Sequence, residues 1–320
     1  MQTLKRYRYL MNKKFSIVIF GGRGFVGKEI ISLLNHHDHI ELKKVFSSTM
    51  VGKKVSIYNR NISLTYSETC FDGLDDIDLA ILALPNNKSF EYIDNLSKMY
   101  PKLMLIDLSS DQRFDSNWYY RIPEISKPSN IKYISNPGCY ASAIQFAIEP
   151  IKNFIKQASC FGISGYSGAG STPNERNDPN TLKDNILPYS LNDHLHQKEV
   201  RHHCHEDISF IPHVGDFFRG INITSQIYLN KEIQIEEIIE IYKIFYNDQD
   251  LIKVSKEVPY ISNIAGKSEV HIGGFCIDSS SNSLRVICVL DNLLKGAATQ
   301  AIQNTNYLLG LNELTGINNE

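Results

Sequence analysis

The sequence predicts an α/β chain: a doubly wound parallel sheet first, then an α+β domain built on a mixed or antiparallel sheet. Three observations carry this expectation. Short apolar, β-branched runs alternate with helical spacing up to about residue 137. A run of glycines follows the first of those runs, and beyond residue 138 the strands lengthen and turn amphipathic. At 320 residues, 42% hydrophobic and 21% charged, the chain is long enough for two cores. The first domain is expected to comprise residues 11–137 and 292–320, and the second residues 138–291.

Phe15 to Phe20 (FSIVIF) reads as a strand buried on both faces, as in parallel sheets. The turn after it carries Gly21-Gly22-Arg23-Gly24-Phe25-Val26-Gly27, in which Gly22, Gly24 and Gly27 satisfy G-x-G-x-x-G. That spacing is the Rossmann-type dinucleotide fingerprint, which lets backbone approach a pyrophosphate at a helix N-terminus. Glu29 stands where a P-loop needs Ser or Thr for magnesium, which excludes nucleoside-triphosphate chemistry. A helix should run from Gly24 to Leu34, with Phe25, Val26, Ile30, Ile31 and Leu34 facing inward. The second strand, Leu42 to Phe46, ends in Ser47-Ser48-Thr49, with Lys53 and Lys54 nearby, where an NAD site would place Asp or Glu. Ser47, Ser48 and these cations suit a 2′-phosphate, so NADP is expected. Asp78 to Leu84 and Leu103 to Leu108 are further strands, and Phe90, Ile93 and Leu96 space out a helix between them.

Ser135-Asn136-Pro137-Gly138-Cys139 opens what reads as the next helix. Asn136 is the expected N-cap and Pro137 the first helical residue, with Ala141, Ile144, Ala147 and Ile148 continuing until Pro150. Cys139 falls in the first turn, where free N–H groups and the helix dipole favour a thiolate, the form that attacks carbonyl carbon. The alternative is a buried structural cysteine. Downstream, Asn222 to Leu229, Glu269 to Ile277 and Leu284 to Leu290 read as strands, with a hairpin turn at Ser279 to Ser283. Ile233 to Phe245 and Leu293 to Leu309 read as helices. In Asp193-His194-Leu195-His196-Gln197-Lys198-Glu199, His196 and Glu199 share a helix face and offer a proton carrier near neutral pH. His202-His203-Cys204-His205 lacks zinc-ligand spacing and reads as an exposed helix.

A formal charge of −2 and no basic stripe argue against a nucleic-acid partner. Six scattered cysteines without a CxxC pair fit a reducing compartment, and a cytoplasmic location is expected. No apolar run approaches the roughly 20 residues that span a bilayer. The opening MQTLKRYRYL lacks an apolar signal core, and Met11 stands as an alternative start.

From about Lys13 to Asn306 the chain resembles the N-acetyl-gamma-glutamyl-phosphate reductases of the aspartate-semialdehyde dehydrogenase-like group. The likeness rests on GGRGFVG, Asp107 to Phe114 (DLSSDQRF), Ile122-Pro123-Glu124, SNPGCYAS, Gly162 to Gly170, His194 to Val200, Phe210 to His213, Arg219-Gly220 and Asp291 to Ala298 (DNLLKGAA). The cysteine segment together with the DNLLKGAA ending is the specific part. Gln112 replaces the family's Phe, and Lys198 the proline that many members carry. The resemblance implies Cys139 as nucleophile and His196 as acid/base, with His194 as competitor. It places Arg113, Asn136, Glu199 and Ser164 at the substrate and Asn292 near the nicotinamide. It also implies an acyl phosphate substrate reduced with NADPH to a semialdehyde with phosphate release, in arginine biosynthesis, by a homodimer or homotetramer without metal or membrane. Rival readings are reduction of an aminoadipyl or aspartyl phosphate, or a non-catalytic NADP-binding regulator.

Overall fold

The computed structural model describes residues 14–61 and 63–317; the alternative start at Met11 lies outside them. Contacts divide the described chain into two units, residues 14–123, 127–136 and 298–317, and residues 124–126 and 137–297.

In the first unit β1 (Phe15–Phe20), β2 (Ile40–Phe46), β3 (Tyr66–Ser67), β4 (Leu79–Leu82), β5 (Met104–Asp107), β6 (Tyr119–Tyr120) and β7 (Tyr133–Ser135) form one parallel sheet. Its order, β3-β2-β1-β4-β5-β7-β6, reverses between β1 and β4, and the crevice at such a switch point is where doubly wound sheets bind ligands. The core includes Val18, Phe20, Phe46, Leu82, Leu96, Leu105 and Trp118, with the Phe20 and Phe46 rings stacked 4.4 Å apart. Helix α1 (Phe25–Leu34) buries Ile30, Ile31 and Leu34. Helix α2 (Ser89–Met99) differs from expectation at its start. Phe90 is 56% exposed, whereas Ser89 is buried with its hydroxyl donating to Asp107 and Asp111.

In the second unit α3 (Cys139–Ile148) is followed by β8 (Ile155–Gly165), β9 (Ile186–Pro188), α4 (Leu195–His203), β10 (Ile208–Gly215), β11 (Ile221–Leu229), α5 (Ile235–Phe245), β12 (Ile252–Val254), β13 (Val270–Asp278) and β14 (Ser283–Leu290). The sheet order is β12-β13-β14-β11-β8-β10-β9. Its centre is antiparallel, while β8–β10 and β12–β13 pair in parallel, so the sheet is mixed. Ile221, Ile223, Ser225, Ile227 and Leu229 alternate inward along β11, the period-2 pattern of a sheet with one packed face.

Helix α3 packs on β11 and β14 and is buried on every side from Tyr140 to Ile148. A helix so enclosed needs partners for its last carbonyls. The Tyr246 hydroxyl supplies one, donating to Phe146 O at 2.8 Å, and the Tyr242 hydroxyl donates to Ala147 O. The single helix expected over Leu293–Leu309 instead divides into a π-helical turn, Leu294–Ala298, and α6 (Thr299–Leu309).

Candidate active site

The cysteine helix starts on the cysteine itself. Gly138, extended at φ −70° and ψ 147°, precedes it and offers no side-chain cap. The expected Asn136 cap is therefore corrected. Asn136 is buried in the first unit, where its N–H donates to Asp107 O (2.7 Å) and its Oδ1 accepts from Asn304 (3.0 Å). Pro137 likewise lies outside the helix. The start of α3 is held from α4, because the Gly138 N–H donates to Glu199 Oε2 at 2.9 Å. Cys139 is half-buried.

Helix α4 separates the two competing histidines. His194 is its N-cap, with Nδ1 accepting the His196 N–H at 3.2 Å. That role requires an unprotonated Nδ1. Burial first, then the neighbouring His196, push the His194 pKa down to about 3, against a partial rise from Glu199. His194 is thus neutral near pH 7 and committed to the cap. His196 has its Nε2 3.8 Å from Glu199 Oε1, too long for a hydrogen bond but close enough to stabilise an imidazolium. Glu199 is completely buried, so one carboxylate touches both the start of the cysteine helix and the histidine. The folded-state pKa of His194 lies below the usual 6.5, so stability is lost as pH falls from about 6.5 toward 3. Asn keeps a capping side chain without that liability. His194→Asn is expected to move the midpoint of acid unfolding, read by circular dichroism, to lower pH; an unmoved midpoint contradicts the cap.

Cys139, Tyr140, Ser164, Arg176, Tyr189 and His196 line one cavity of about 30 Å³. Burial first, and the Cys139 sulfur next, push the Tyr189 hydroxyl up to about 12, so it is a proton donor at neutral pH. The buried Ser164 hydroxyl donates to Gly165 O at 2.9 Å. Asn292, expected at the nicotinamide, has both ends of its amide engaged within the second unit: Oδ1 accepts the Gly220 N–H (2.7 Å) and Nδ2 donates to Ser167 Oγ (2.9 Å). The π-helical turn packs against Cys139. The Gly296 N–H reaches back five residues to Asp291 O (2.9 Å), and a Cβ at Gly296 would stand 2.8 Å from the Cys139 Cβ. Next to it the fully buried Lys295 lies 2.7 Å from both Glu124 oxygens. His202 and His203 occupy the last turn of α4, where cations suit a helix C-terminus, and the Cys204 thiol donates to Glu149 Oε2 at 3.1 Å.

In the first unit the glycine loop passes a direct test of whether a dinucleotide fits. Gly21 takes φ +82°. A Cβ at Gly22 would lie 2.3 Å from Val45 Cγ1, and one at Gly27 2.8 Å from Gly22 Cα, so both glycines serve packing. A Cβ at Gly24 would meet nothing closer than 3.7 Å, so the protein itself does not require glycine there. Backbone approach to a pyrophosphate does. Gly24→Ala is expected to leave the melting temperature within about 1 °C yet weaken NADPH binding at least tenfold. Gly27→Ala is expected to cost stability, roughly 1–3 kcal/mol by overpacking; equal melting temperatures would refute the distinction. Arg23 and Ser48 are exposed, and Phe25 and Val26 half-buried. Ser47 is buried, with its Oγ accepting the Thr49 and Met50 N–H groups (3.3 Å each), so it shapes the turn after β2. Arg113 is buried, its Nε and Nη2 donating to the carbonyls of Asn136 and Leu108 (3.0 Å each).

The second unit thus gathers Cys139, His196, Glu199 and Ser164, and the first holds the glycine loop, Ser47, Ser48, Arg113 and Asn136. Sequence reasoning did not single out Tyr140, Tyr189 and Arg176, which line the cavity, or the buried Lys295–Glu124 pair. The pair's signal was present, since both residues lie inside quoted motifs.

Comparison with known proteins fits this division. Residues 16–134 match the family profile "Semialdehyde dehydrogenase, NAD binding domain" and residues 139–292 match "Semialdehyde dehydrogenase, dimerisation domain". Aspartate semialdehyde dehydrogenase II of Vibrio cholerae, solved with ASA, superposes with a TM-score of 0.79 at 18% identity, over 93% of this chain and 99% of that one. Fold and site together define a semialdehyde dehydrogenase-type oxidoreductase. The N-acetyl-gamma-glutamyl-phosphate reductase of Xanthomonas oryzae pv. oryzae is 41% identical over 94% of this chain and 98% of its own length. The chain belongs to the N-acetyl-gamma-glutamyl-phosphate reductase family. It is also 39% identical to the protein arg11, mitochondrial, of Schizosaccharomyces pombe, of which it spans 37%. Among the described residues no helix is long and apolar enough to cross a membrane.

Proposed function

We propose that the chain reduces N-acetyl-L-glutamyl 5-phosphate to N-acetyl-L-glutamate 5-semialdehyde, releasing phosphate, within arginine biosynthesis. The observation that supports it best is Cys139 as the first residue of a buried helix, lining one small cavity with His196, whose imidazole stands 3.8 Å from the buried Glu199. The Cys139 thiolate attacks the acyl carbon. A C–S bond forms, the C–O bond to phosphate breaks, and a thioester remains on the enzyme. NADPH, when bound, supplies the hydride that reduces this thioester. Backbone N–H groups at the start of α3 stabilise the oxyanion of the resulting thiohemiacetal. Its collapse restores the thiolate and frees the aldehyde, with His196 holding and exchanging the proton. Glu199 acts as a positioning residue for His196 and Gly138 in place of the substrate contact first expected of it, and Asn292 orders the turns around Ser167 and Gly220.

NADP is favoured over NAD by the exposed Ser48 and the exposed Lys53 and Lys54 beyond β2, with no carboxylate at that strand end. Arg113 and Asn136 belong to the substrate side in this reading. The likeness to a dimerisation domain supports a homo-oligomer, a dimer or tetramer. Six free cysteines favour a reducing compartment such as the cytoplasm. The test is phosphate-dependent reduction of NADP by the purified chain with N-acetyl-glutamate semialdehyde. Turnover that requires phosphate is expected, and absence of the phosphate requirement overturns the acyl phosphate reading.

A further inference from the structure

One cation in the cavity has no role yet. Arg176 sits in the short 3₁₀ turn Glu175–Asn177 and lines the same cavity as Cys139. The turn is fixed by reciprocal caps: Asn174 Oδ1 accepts the Arg176 N–H (3.0 Å), and Asn177 Oδ1 accepts the Asn174 N–H (2.8 Å). The guanidinium lies 4.8 Å from the centroid of the Tyr189 ring, and the Tyr189 hydroxyl feels both Arg176 and the Cys139 sulfur. Among the described residues no carboxylate pairs with Arg176. Arg113 contrasts with it, since its Nε and Nη2 are taken by backbone carbonyls. A half-buried guanidinium without a carboxylate partner among the described residues, lining the same cavity as the reacting sulfur, is arranged for an anion that arrives with the ligand.

We propose that Arg176 is the specificity residue that receives the α-carboxylate of the substrate while the acyl carbon lies at Cys139. The proposal rests on the reductase reading above. In the N-acetyl-glutamyl skeleton three carbons separate the carboxylate carbon from the acyl carbon, a span of about 5 Å at ordinary C–C bond lengths. Cys139 and Arg176 line one small cavity, so a molecule of that span can present one end to each, and the planar guanidinium fork matches a carboxylate in two parallel hydrogen bonds. Arg176 therefore selects acyl phosphates that carry a carboxylate at this distance over those that lack it.

The test compares two aldehydes in the phosphate-dependent direction: N-acetyl-glutamate semialdehyde, and 4-acetamidobutanal, the same molecule without its carboxylate. The wild-type chain is expected to prefer the first by roughly 10- to 100-fold in kcat/KM, the range of a charge-assisted hydrogen bond. Arg176→Ala is expected to lose most of that preference through the KM for the aldehyde, with the KM values for phosphate and NADP unchanged, and Arg176→Lys to restore part of it. An equal loss on both aldehydes, or a raised KM for phosphate, overturns the assignment while leaving the reductase reading intact. A wild-type chain that turns over neither aldehyde overturns both. Matching melting temperatures for the three proteins show that the comparison reads recognition and not folding.

Discussion

Cys139→Ser is expected to lose on the order of 10⁴-fold or more in kcat, while its affinity for NADPH stays within about twofold of wild type. The serine hydroxyl keeps the shape of the side chain, and the helix still begins at the same residue, so neither α3 nor the glycine loop of the other unit is disturbed. What disappears is the sulfur nucleophile and a thioester that accepts hydride more readily than an ester would. Stopped-flow assays of turnover, with cofactor fluorescence for binding, separate the two readouts. Wild-type-like turnover would remove Cys139 from the chemistry, and a parallel loss of NADPH affinity would mean that the substitution had damaged more than the nucleophile.

His196→Asn is expected to lower kcat by about 10²- to 10⁴-fold, the usual range for removal of a general acid/base. His194→Asn is expected to stay within a few-fold of wild type. The contrast follows from geometry. His194 spends its Nδ1 on the N-cap of α4, and asparagine makes an equally good cap. His196 keeps its Nε2 3.8 Å from the Glu199 carboxylate. The pH–rate profile should lose its imidazole limb in His196→Asn and keep it in His194→Asn. Reversed effects would hand the acid/base role to His194 and leave the cap without explanation.

Much of this was legible in the residues. The parallel sheet was readable because buried β-branched runs and glycine turns are local signals, and β1 spans Phe15–Phe20 as its sequence suggested. Cys139 was readable as a helix-start thiol for the same reason. The detail of how the helix starts was not. Asn136 has the chemistry of an N-cap, but its amide is claimed by Asn304, 168 residues away, and the Gly138 N–H is claimed by Glu199, 61 residues away. Local propensity cannot foresee a long-range partner that outbids it. The π-helical turn at Leu294–Ala298 was hidden likewise, because apolar spacing does not distinguish it from the helix that follows. Arg176 carried no signal at all: an arginine in a polar loop reads as a solvated charge until the fold brings it into the cavity that Cys139 lines.

The carboxylate shared between Gly138 and His196 has a consequence for how ready the enzyme is before it meets anything. If either helix frayed or slid by itself, an anion sealed from water would be stranded, a penalty of several kcal/mol. Thiol and imidazole are therefore stitched into a single rigid piece whose mutual geometry is set at folding. Turnover need not wait for an encounter to assemble them.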